Sequence, residues 1–193
     1  MSCSASQLSL KLGVSAVQFR RPHFCKFVQS VLAETGLAPQ QLELELTESL
    51  LLGEADTTLS VINELKAIGI TLAIDDFGSG YSSFSYLKRF RVSKLKIDRS
   101  FIQDVAVDAD DAAITAAIIS MAKSLRLKVL AEGVETEQQF SFLRAHQCDE
   151  IQGYYFSKPM TVAKVAEKLS SHGFQLDRPI TSSANCLPKP PHS

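Results

Sequence analysis

Short apolar stretches alternate along the chain with longer amphipathic ones. The apolar stretches predict six strands, at Leu8–Val14, Leu42–Leu46, Ile70–Ile74, Lys94–Ile97, Lys128–Ala131 and Glu150–Tyr154. Helical periodicity predicts helices over about residues 23–36, 55–68, 80–90, 108–125, 136–146 and 161–171. This alternation is typical of a parallel α/β fold, and the strands are apolar with little alternation, as expected when both faces of the sheet are covered.

Charged or amide side chains lie at or just after the carboxyl ends of five predicted strands. They are Glu45 and Glu48, Asp75 and Asp76, Lys96 and Asp98, Glu132 and Glu135, and Gln152. Ligands of α/β folds bind at the carboxyl ends of the strands, and in a β/α barrel these ends ring one face. We therefore expect one face to gather Glu45, Asp75, Asp76, Lys96, Glu132 and Gln152.

The most informative of these positions is the pair Asp75 and Asp76, which ends a predicted buried strand and is followed by the turn Gly78-Ser79-Gly80. Adjacent carboxylates at the end of a buried strand are costly unless something positive compensates them, and a divalent metal is the usual compensation. A group of acidic residues with one lysine suits Mg²⁺ or Mn²⁺, which prefer oxygen ligands. The sequence therefore predicts a metal site at a strand-to-loop junction.

Such a site suits a phosphoryl displacement, in which two metal ions clamp the attacking and leaving oxygens. Asp75 and Asp76 can serve two ions, while Lys96 can hold a metal-bound water or neutralise developing charge. Glu132 can accept a proton. Residue chemistry thus favours metal-dependent phosphoester hydrolysis. A carbon–oxygen lyase or an enolising barrel enzyme uses the same groups and stays an alternative on these grounds.

Composition excludes several other classes. The 193 residues are 45% hydrophobic with a formal net charge of −1, which suits one domain with a sizeable core and gives no electrostatic case for binding a nucleic-acid polymer or a membrane. No apolar run approaches the roughly 18 residues of a membrane span. The four cysteines are scattered without a CxxC pair, which indicates reduced thiols and a cytoplasmic location. They are Cys3, Cys25, Cys148 and Cys186.

Five motifs occur in a fixed order along the chain. They are Glu45-Leu46-Thr47-Glu48-Ser49, Asp75-Asp76-Phe77-Gly78-Ser79-Gly80-Tyr81-Ser82-Ser83, Lys94-Leu95-Lys96-Ile97-Asp98, Ala131-Glu132-Gly133-Val134-Glu135-Thr136 and Gln152-Gly153-Tyr154. This order resembles the EAL-domain family, bacterial phosphodiesterases that open cyclic di-GMP to linear pGpG. The resemblance covers roughly residues 8–170 and implies a TIM-like barrel with a two-metal mechanism.

The resemblance also implies roles for individual residues. Glu45, Asp75, Asp76 and Glu132 match metal ligands of the family, with Asp75 bridging the metals and Glu132 an alternative general base. Lys96 matches the lysine that contacts the hydrolytic water, and Gln152 a glutamine near the metal–water cluster. Glu48 matches the glutamate that steadies the loop from Asp76 to Ser83, which links the active site to dimerisation. Asp98 is left with two roles, pairing with Lys96 or contacting a guanine.

Two departures from the family predict a weakened metal site. The first departure is that the segment carrying the Glu-Ala-Leu signature, with its metal-ligand glutamate and a nearby phosphate-binding arginine, is absent. It is expected some tens of residues before Leu8, and the sequence begins at Met1. At the family's metal-binding asparagine this chain has Gly13, which has no side chain to offer. Even losses around a metal's direct ligands commonly cost about 10–100-fold in affinity or activity.

The predicted domain is a partial EAL domain over residues 1–175, with a flexible, Pro- and Ser-rich tail over residues 176–193. About six of the eight β/α units of a barrel are counted, so the barrel is expected to be incomplete, with unpaired edges beside the first and last strands. Apolar interior from Leu10, Leu12 and Val14 is expected to be uncovered. A homodimer that pairs these edges is the preferred way to cover the gap.

Three functions follow from these expectations. The first is a degenerate EAL domain of cyclic di-GMP signalling, impaired as a phosphodiesterase but retaining part of the metal and nucleotide site. The second is an active, metal-dependent phosphodiesterase that gives pGpG. The third is a fragment of a longer EAL protein with no function of its own.

Overall fold

The computed structural model describes residues 9–51, 55–78, 87, 89, 90 and 92–170. Its strands are β1 (Leu10–Val14), β2 (Leu42–Thr47), β3 (Thr71–Phe77), β4 (Lys94–Ile97), β5 (Lys128–Ala131) and β6 (Glu150–Ile151). Its helices are α1 (Ala16–Phe19), α2 (Phe24–Thr35), α3 (Glu48–Leu51), α4 (Ala55–Ile68), α5 (Arg99–Gln103), α6 (Ala109–Ser124), α7 (Glu137–Ala145) and α8 (Val162–Ser170), with a 3-10 turn at Pro39–Gln41.

The described strands form one parallel sheet in the order β1-β2-β3-β4-β5-β6. Sequential order with parallel pairing is the topology of a β/α barrel, whereas a doubly wound sheet reverses its order at a switch point. The sheet curls so that its first and last described strands approach each other: Lys11 Nζ of β1 lies 3.8 Å from Glu150 Oε2 of β6. The predicted TIM-like α/β fold is confirmed as an open barrel of six described strands.

The hydrophobic core lies between the outer face of the sheet and the helices. Leu46, Leu72, Ile74 and Leu95 are fully buried there. Such burial contributes about 1.5–3 kcal/mol for each large side chain, so the outer face of the sheet is the main source of stability. The core residues alternate along β2 with charged ones, because successive strand residues point to opposite faces.

The interior face of the sheet is charged near its N-terminal end, contrary to the expectation of strands that are apolar on both faces. We call Lys11, Glu43, Lys94 and Glu150 the lower ionic layer. Lys94 Nζ lies 2.7 Å from Glu43 Oε2 and 2.6 Å from Glu150 Oε2. Glu43 and Lys94 are only 4% and 5% exposed. Charges this buried persist when they are paired, which explains why both signs occur together.

The apolar residues of β1 lie on the opposite side from the one predicted. Lys11 reaches Glu43 in the interior, so its neighbours Leu10 and Leu12 must face outward, towards α2. There they line an open groove of about 690 Å³ together with Phe27 and Val31. Leu10 and Leu12 are 49% and 46% exposed. The expectation that Leu10, Leu12 and Val14 belong to the barrel interior is therefore wrong.

Three predicted elements differ from the observed ones. β3 continues to Phe77, so Asp75 and Asp76 lie within the strand instead of following it. β6 ends at Ile151, three residues before its predicted end, because the chain turns there and packs against the loop after β5. The helix predicted over residues 80–90 lies largely outside the described residues, where only Leu87, Arg89 and Phe90 are described as helical.

Two further observations concern the cysteines and the helices among the described residues. Cys25 and Cys148 are free thiols, while Cys3 and Cys186 lie outside the described residues. None of the described helices is long and apolar enough to cross a membrane. The cytoplasmic location stays a prediction.

Two glycines allow a matched test of the packing. A Cβ on Gly153 would overlap the backbone of Val134, whereas a Cβ on Gly13 would meet nothing within 4 Å. We expect Gly153→Ala to lower the free energy of unfolding by about 1–3 kcal/mol or more, because backbone must shift to make room. Gly13→Ala should leave it unchanged or raise it by up to about 1 kcal/mol. Urea unfolding measures both, and equal effects would contradict the packing described at Gly153.

Candidate metal centre

The centre of the site is the ammonium group of Lys96, which lies inside the barrel near the carboxyl ends of the strands. Lys96 Nζ lies 2.8 Å from Glu45 Oε2, 2.8 Å from Asp75 Oδ1 and 2.9 Å from Glu132 Oε1. Its side chain is only 4% exposed. Strands β2, β3 and β4 each supply one member of this group, and Glu132 follows β5 directly. We call the four residues together with Asp76 the upper ionic layer.

Asp75 and Asp76 reach the same place because β3 is irregular at this point. Adjacent residues of a regular strand point to opposite faces. Here the pairing of β3 with β4 shifts register between Ile74 and Phe77, and Asp76 adopts φ +53°, in the left-handed region. Aspartate tolerates that region better than most residues do. The irregularity brings carboxylate oxygens of Asp75, Asp76 and Glu132 within 4.8 Å of one another.

The charges of the upper ionic layer do not balance. One ammonium, that of Lys96, stands against the carboxylates of Glu45, Asp75, Asp76 and Glu132. Carboxylates grouped this closely without enough positive charge repel one another. Oxygen ligands in this number suit a hard divalent cation, so the donor set fits Mg²⁺ or Mn²⁺.

Shifted pKa values follow from this imbalance. Burial is the main cause that raises the pKa of Glu132, and the charges of Asp75 and Glu45 add to it against the opposing effect of Lys96. Burial and the neighbouring Asp75 and Asp98 likewise raise the pKa of Asp76. Burial alone would lower the pKa of Lys96, but its hydrogen bonds to Asp75, Glu45 and Glu132 raise it above its usual range, so Lys96 stays charged.

Asp98 caps a helix, and no ion pair between it and Lys96 is found among the described residues, while its contact with a guanine stays a prediction. Its carboxylate caps the N-terminus of α5, accepting from Ser100 N at 2.9 Å and from Ser100 Oγ at 2.5 Å. Although burial alone would raise it, the pKa of Asp98 is lowered by these donors and by a hydrogen bond with Asp76. This hydrogen bond joins the carboxyl ends of β3 and β4.

Glu48 contacts Gly78, the residue that directly follows β3. Glu48 Oε2 accepts a hydrogen bond from Gly78 N at 3.4 Å, while the buried Oε1 has no hydrogen-bond partner among the described residues. Gly78 has φ +100°, and a Cβ there would come within 2.8 Å of the Phe101 ring. The loop predicted from Asp76 to Ser83 continues through Ser79 and Gly80, which lie outside the described residues.

The remaining predicted residues lie beside the upper ionic layer without a described contact to it. Gln152 follows β6, and its backbone N–H donates to Ala131 O at 2.9 Å. The backbone N–H of Glu135 donates to Gln139 Oε1 at 2.7 Å. Both line a cavity of about 440 Å³ that also includes Glu132 and Arg99. Sequence reasoning missed the lower ionic layer, although its alternating charges in Leu42-Glu43-Leu44-Glu45 and Lys94-Leu95-Lys96 were a signal for it.

The chain thus belongs to the class of β/α barrel proteins, in which functional residues lie at the carboxyl ends of the strands, where the upper ionic layer also lies. The EAL domain profile matches residues 1–159, and the chain belongs to the EAL-domain family.

Several similar proteins are described as cyclic di-GMP phosphodiesterases or as complexes of the dinucleotide. The cyclic di-GMP phosphodiesterase NbdA of Pseudomonas aeruginosa is 43% identical over 176 residues, which is 91% of this chain and 22% of NbdA. The structure of the PaMucR phosphodiesterase in complex with c-di-GMP has a TM-score of 0.80 at 42% identity, over 83% of this chain and 65% of that one. The manganese/cy-diGMP complex of Klebsiella pneumoniae BlrP1 has a TM-score of 0.73 at 32% identity, over 78% of this chain and 39% of that one.

This chain spans about a fifth of the length of the curated relatives that it matches.

We expect Mn²⁺ to raise the melting temperature of the chain near about pH 8, and the increase to shrink as the pH falls. A ligand at 100 times its Kd stabilises by about 2.7 kcal/mol. Protons compete for Asp76 and Glu132, whose raised pKa values keep them protonated above the usual carboxylate range. Thermal unfolding with and without Mn²⁺ measures the effect.

In the metal-free chain, the stability contributed by Asp76 and Glu132 depends on pH in the opposite direction. A raised pKa in the folded state gives stability that is present at low pH and lost as the pH rises through the raised pKa. Asp76→Asn should remove most of the Mn²⁺ effect, and an equal increase in that variant at every pH would contradict the assignment.

Proposed function

We propose that this chain is an EAL domain that binds Mg²⁺ or Mn²⁺ and cyclic di-GMP at the upper ionic layer and is impaired as a phosphodiesterase. The observation that carries the proposal is the group of three carboxylates, of Glu45, Asp75 and Glu132, that contact the ammonium of Lys96, with the carboxylate of Asp76 beside Asp75 and Glu132. Relatives described as cyclic di-GMP phosphodiesterases and as manganese complexes of the dinucleotide support it.

Glu45, Asp75, Asp76 and Glu132 are the residues that would hold the metal. Bound there, two metal ions would supply Lewis acidity to a phosphodiester and a water that is acidic enough to act as nucleophile. Lys96 is the fixed positive charge of the site, and its raised pKa keeps it able to donate a hydrogen bond at any physiological pH. Glu132 is placed to accept a proton, because its raised pKa makes it a better base than an ordinary glutamate.

The dinucleotide would extend from this layer into the cavity beside Glu132. That cavity of about 440 Å³ is lined by Arg99, Gln152 and Tyr154 among others. An arginine can pair with a phosphate, and an aromatic ring can stack on a base. Both contacts suit a cyclic dinucleotide better than the small substrate of a lyase.

Gly13 is the reason to expect impairment. In the β1–β2 register it stands beside Glu45, at the position of the family's metal-binding asparagine. The space is present, since a Cβ would meet nothing within 4 Å, but glycine leaves it without an oxygen donor. Loss of a direct ligand is expected to lower the affinity for the metal by more than the roughly 10–100-fold that the loss of a supporting residue costs.

A second candidate function is an active phosphodiesterase. It is favoured by the close approach of Asp75, Asp76 and Glu132, which is independent of Gly13. The two candidates differ in rate on the same substrate, so one assay separates them.

We expect the chain, given cyclic di-GMP and Mn²⁺, to form pGpG slowly, and Gly13→Asn to accelerate product formation by about 10-fold or more by restoring a ligand. Glu132→Ala should abolish it. Gly36→Asn is the matched control, because Gly36 also has open space around it and its φ of +69° is one that asparagine tolerates. Chromatography of the products gives the rates.

The outcomes separate the hypotheses. Fast turnover that Gly13→Asn leaves unchanged would contradict impairment and favour the active enzyme. Absence of both turnover and cyclic di-GMP binding in the chain and in Gly13→Asn would contradict the proposal and favour a fragment with no function of its own.

We also propose that two copies associate through the open edges of the sheet. β1 and β6 each have one described strand neighbour, and unpaired strand edges are templates for association. The exposed Leu10 and Leu12 add apolar surface beside the β1 edge. Sedimentation velocity is expected to show a dimer that Leu12→Lys dissociates into monomers. A monomeric parent chain would contradict this proposal without affecting the metal site.

A further inference from the structure

Lys94 is a second buried lysine, two residues before Lys96 on the same face of β4. The two residues are 5% and 3% exposed. Lys94 Nζ contacts Glu43 and Glu150 at 2.7 and 2.6 Å, whereas the ion pairs of Lys96 with described residues are all with carboxylates of the upper ionic layer. Each lysine is thus confined to one of two neighbouring layers.

This pairing is not imposed by reach. Glu43 and Glu45 repeat along β2 the spacing of Lys94 and Lys96 along β4. Two strand residues span only about 6.6 Å, and a lysine ammonium is carried on a flexible four-carbon stem. The ammonium of Lys96 can therefore reach towards Glu43 when nothing else occupies that carboxylate.

Glu43 has an incomplete set of partners in the described structure. Its Oε1 is buried and makes no hydrogen bond to a described residue, and the Lys11 ammonium lies 4.0 Å from it. Oε2 contacts Lys94 Nζ at 2.7 Å. Removing Lys94 would leave a buried carboxylate with a strong demand for another cation.

The two layers also differ in charge. The lower ionic layer has two ammonium groups, of Lys11 and Lys94, and two carboxylates, of Glu43 and Glu150. It is neutral by itself, so it neither supplies charge to the upper layer nor draws charge from it. The excess of carboxylates is thereby confined to the upper layer, where a metal would bind.

We propose that Lys94 is a positioning residue for the metal centre: by satisfying Glu43 and Glu150, it keeps Lys96 among Glu45, Asp75 and Glu132. The inference rests on the proposed function only in that the upper ionic layer binds metal. The position of Lys96 is a property of the metal-free chain and can be measured without metal or nucleotide.

The test observes the side-chain ammonium of Lys96 by ¹H–¹⁵N NMR in the metal-free chain, with the signal assigned through Lys96→Arg. In the parent chain the signal should be protected from exchange with water, because three carboxylates hold it. In Lys94→Met it should shift and exchange faster as Lys96 is drawn towards Glu43. In Lys94→Met/Glu43→Met, where the competing carboxylate is gone, it should return to its parent position.

Lys11→Met is the matched control, because Lys11 belongs to the same layer but contacts it only at 3.8–4.0 Å from a side chain that is 28% exposed. It should leave the Lys96 signal unchanged. If Lys94→Met does not fold, Lys94→Gln takes its place, since its amide still donates to Glu43, and the same shift in smaller degree is expected. A Lys96 signal unchanged in the folded Lys94 variant would overturn the proposal.

Mn²⁺ titration by calorimetry separates this inference from the proposed function. Lys94→Met should strengthen Mn²⁺ binding by about 10-fold relative to the parent chain, because the Lys96 ammonium then competes less with the metal for Glu45, Asp75 and Glu132, and the double variant should return to the parent affinity. A parent chain that binds no Mn²⁺ would contradict the proposed function, while the NMR signal would still decide whether Lys94 positions Lys96.

Discussion

The interaction on which the rest of the site depends is that of the buried Lys96 ammonium with three carboxylates. Removing a cation from water is costly, and only close carboxylates at hydrogen-bonding distance compensate for it. Conversely, Glu45, Asp75 and Glu132 tolerate one another because Lys96 stands between them. Their pairing fixes how β2, β3, β4 and β5 are arranged at their carboxyl ends, and it still leaves an excess of negative charge for a metal.

The barrel separates stability from chemistry between the two faces of its sheet. The outer face, with Leu46, Leu72 and Leu95, packs on the helices and supplies the hydrophobic stabilisation. Because the outer face supplies this stabilisation, the interior face need not be apolar and carries buried charges in two layers. The lower layer balances its own charge, whereas the upper layer has more carboxylates than ammonium groups, and this difference is the basis for proposing a metal site at that end of the barrel.

Much of the architecture could be predicted from the sequence because it depends on local patterns. Strand runs such as Leu42–Thr47 are bounded by turn and helix signals, and the ends of the strands carry the motif residues. The conformation of Asp76 could not be predicted, since its left-handed backbone lies at a register shift between β3 and β4, which depends on how two separate segments pair. The outward direction of Leu12 likewise depends on the pairing of its neighbour Lys11 with Glu43 in the barrel interior.

The account stands on the claim that a divalent metal binds at the upper ionic layer of this EAL domain. The most direct measurement is anomalous X-ray diffraction at the manganese edge from crystals of the chain grown with Mn²⁺. The account predicts an anomalous peak bounded by Asp75, Asp76 and Glu132, whose carboxylate oxygens lie within 4.8 Å of one another. Ordered density for these three side chains with no anomalous peak between them, at saturating Mn²⁺, would contradict it.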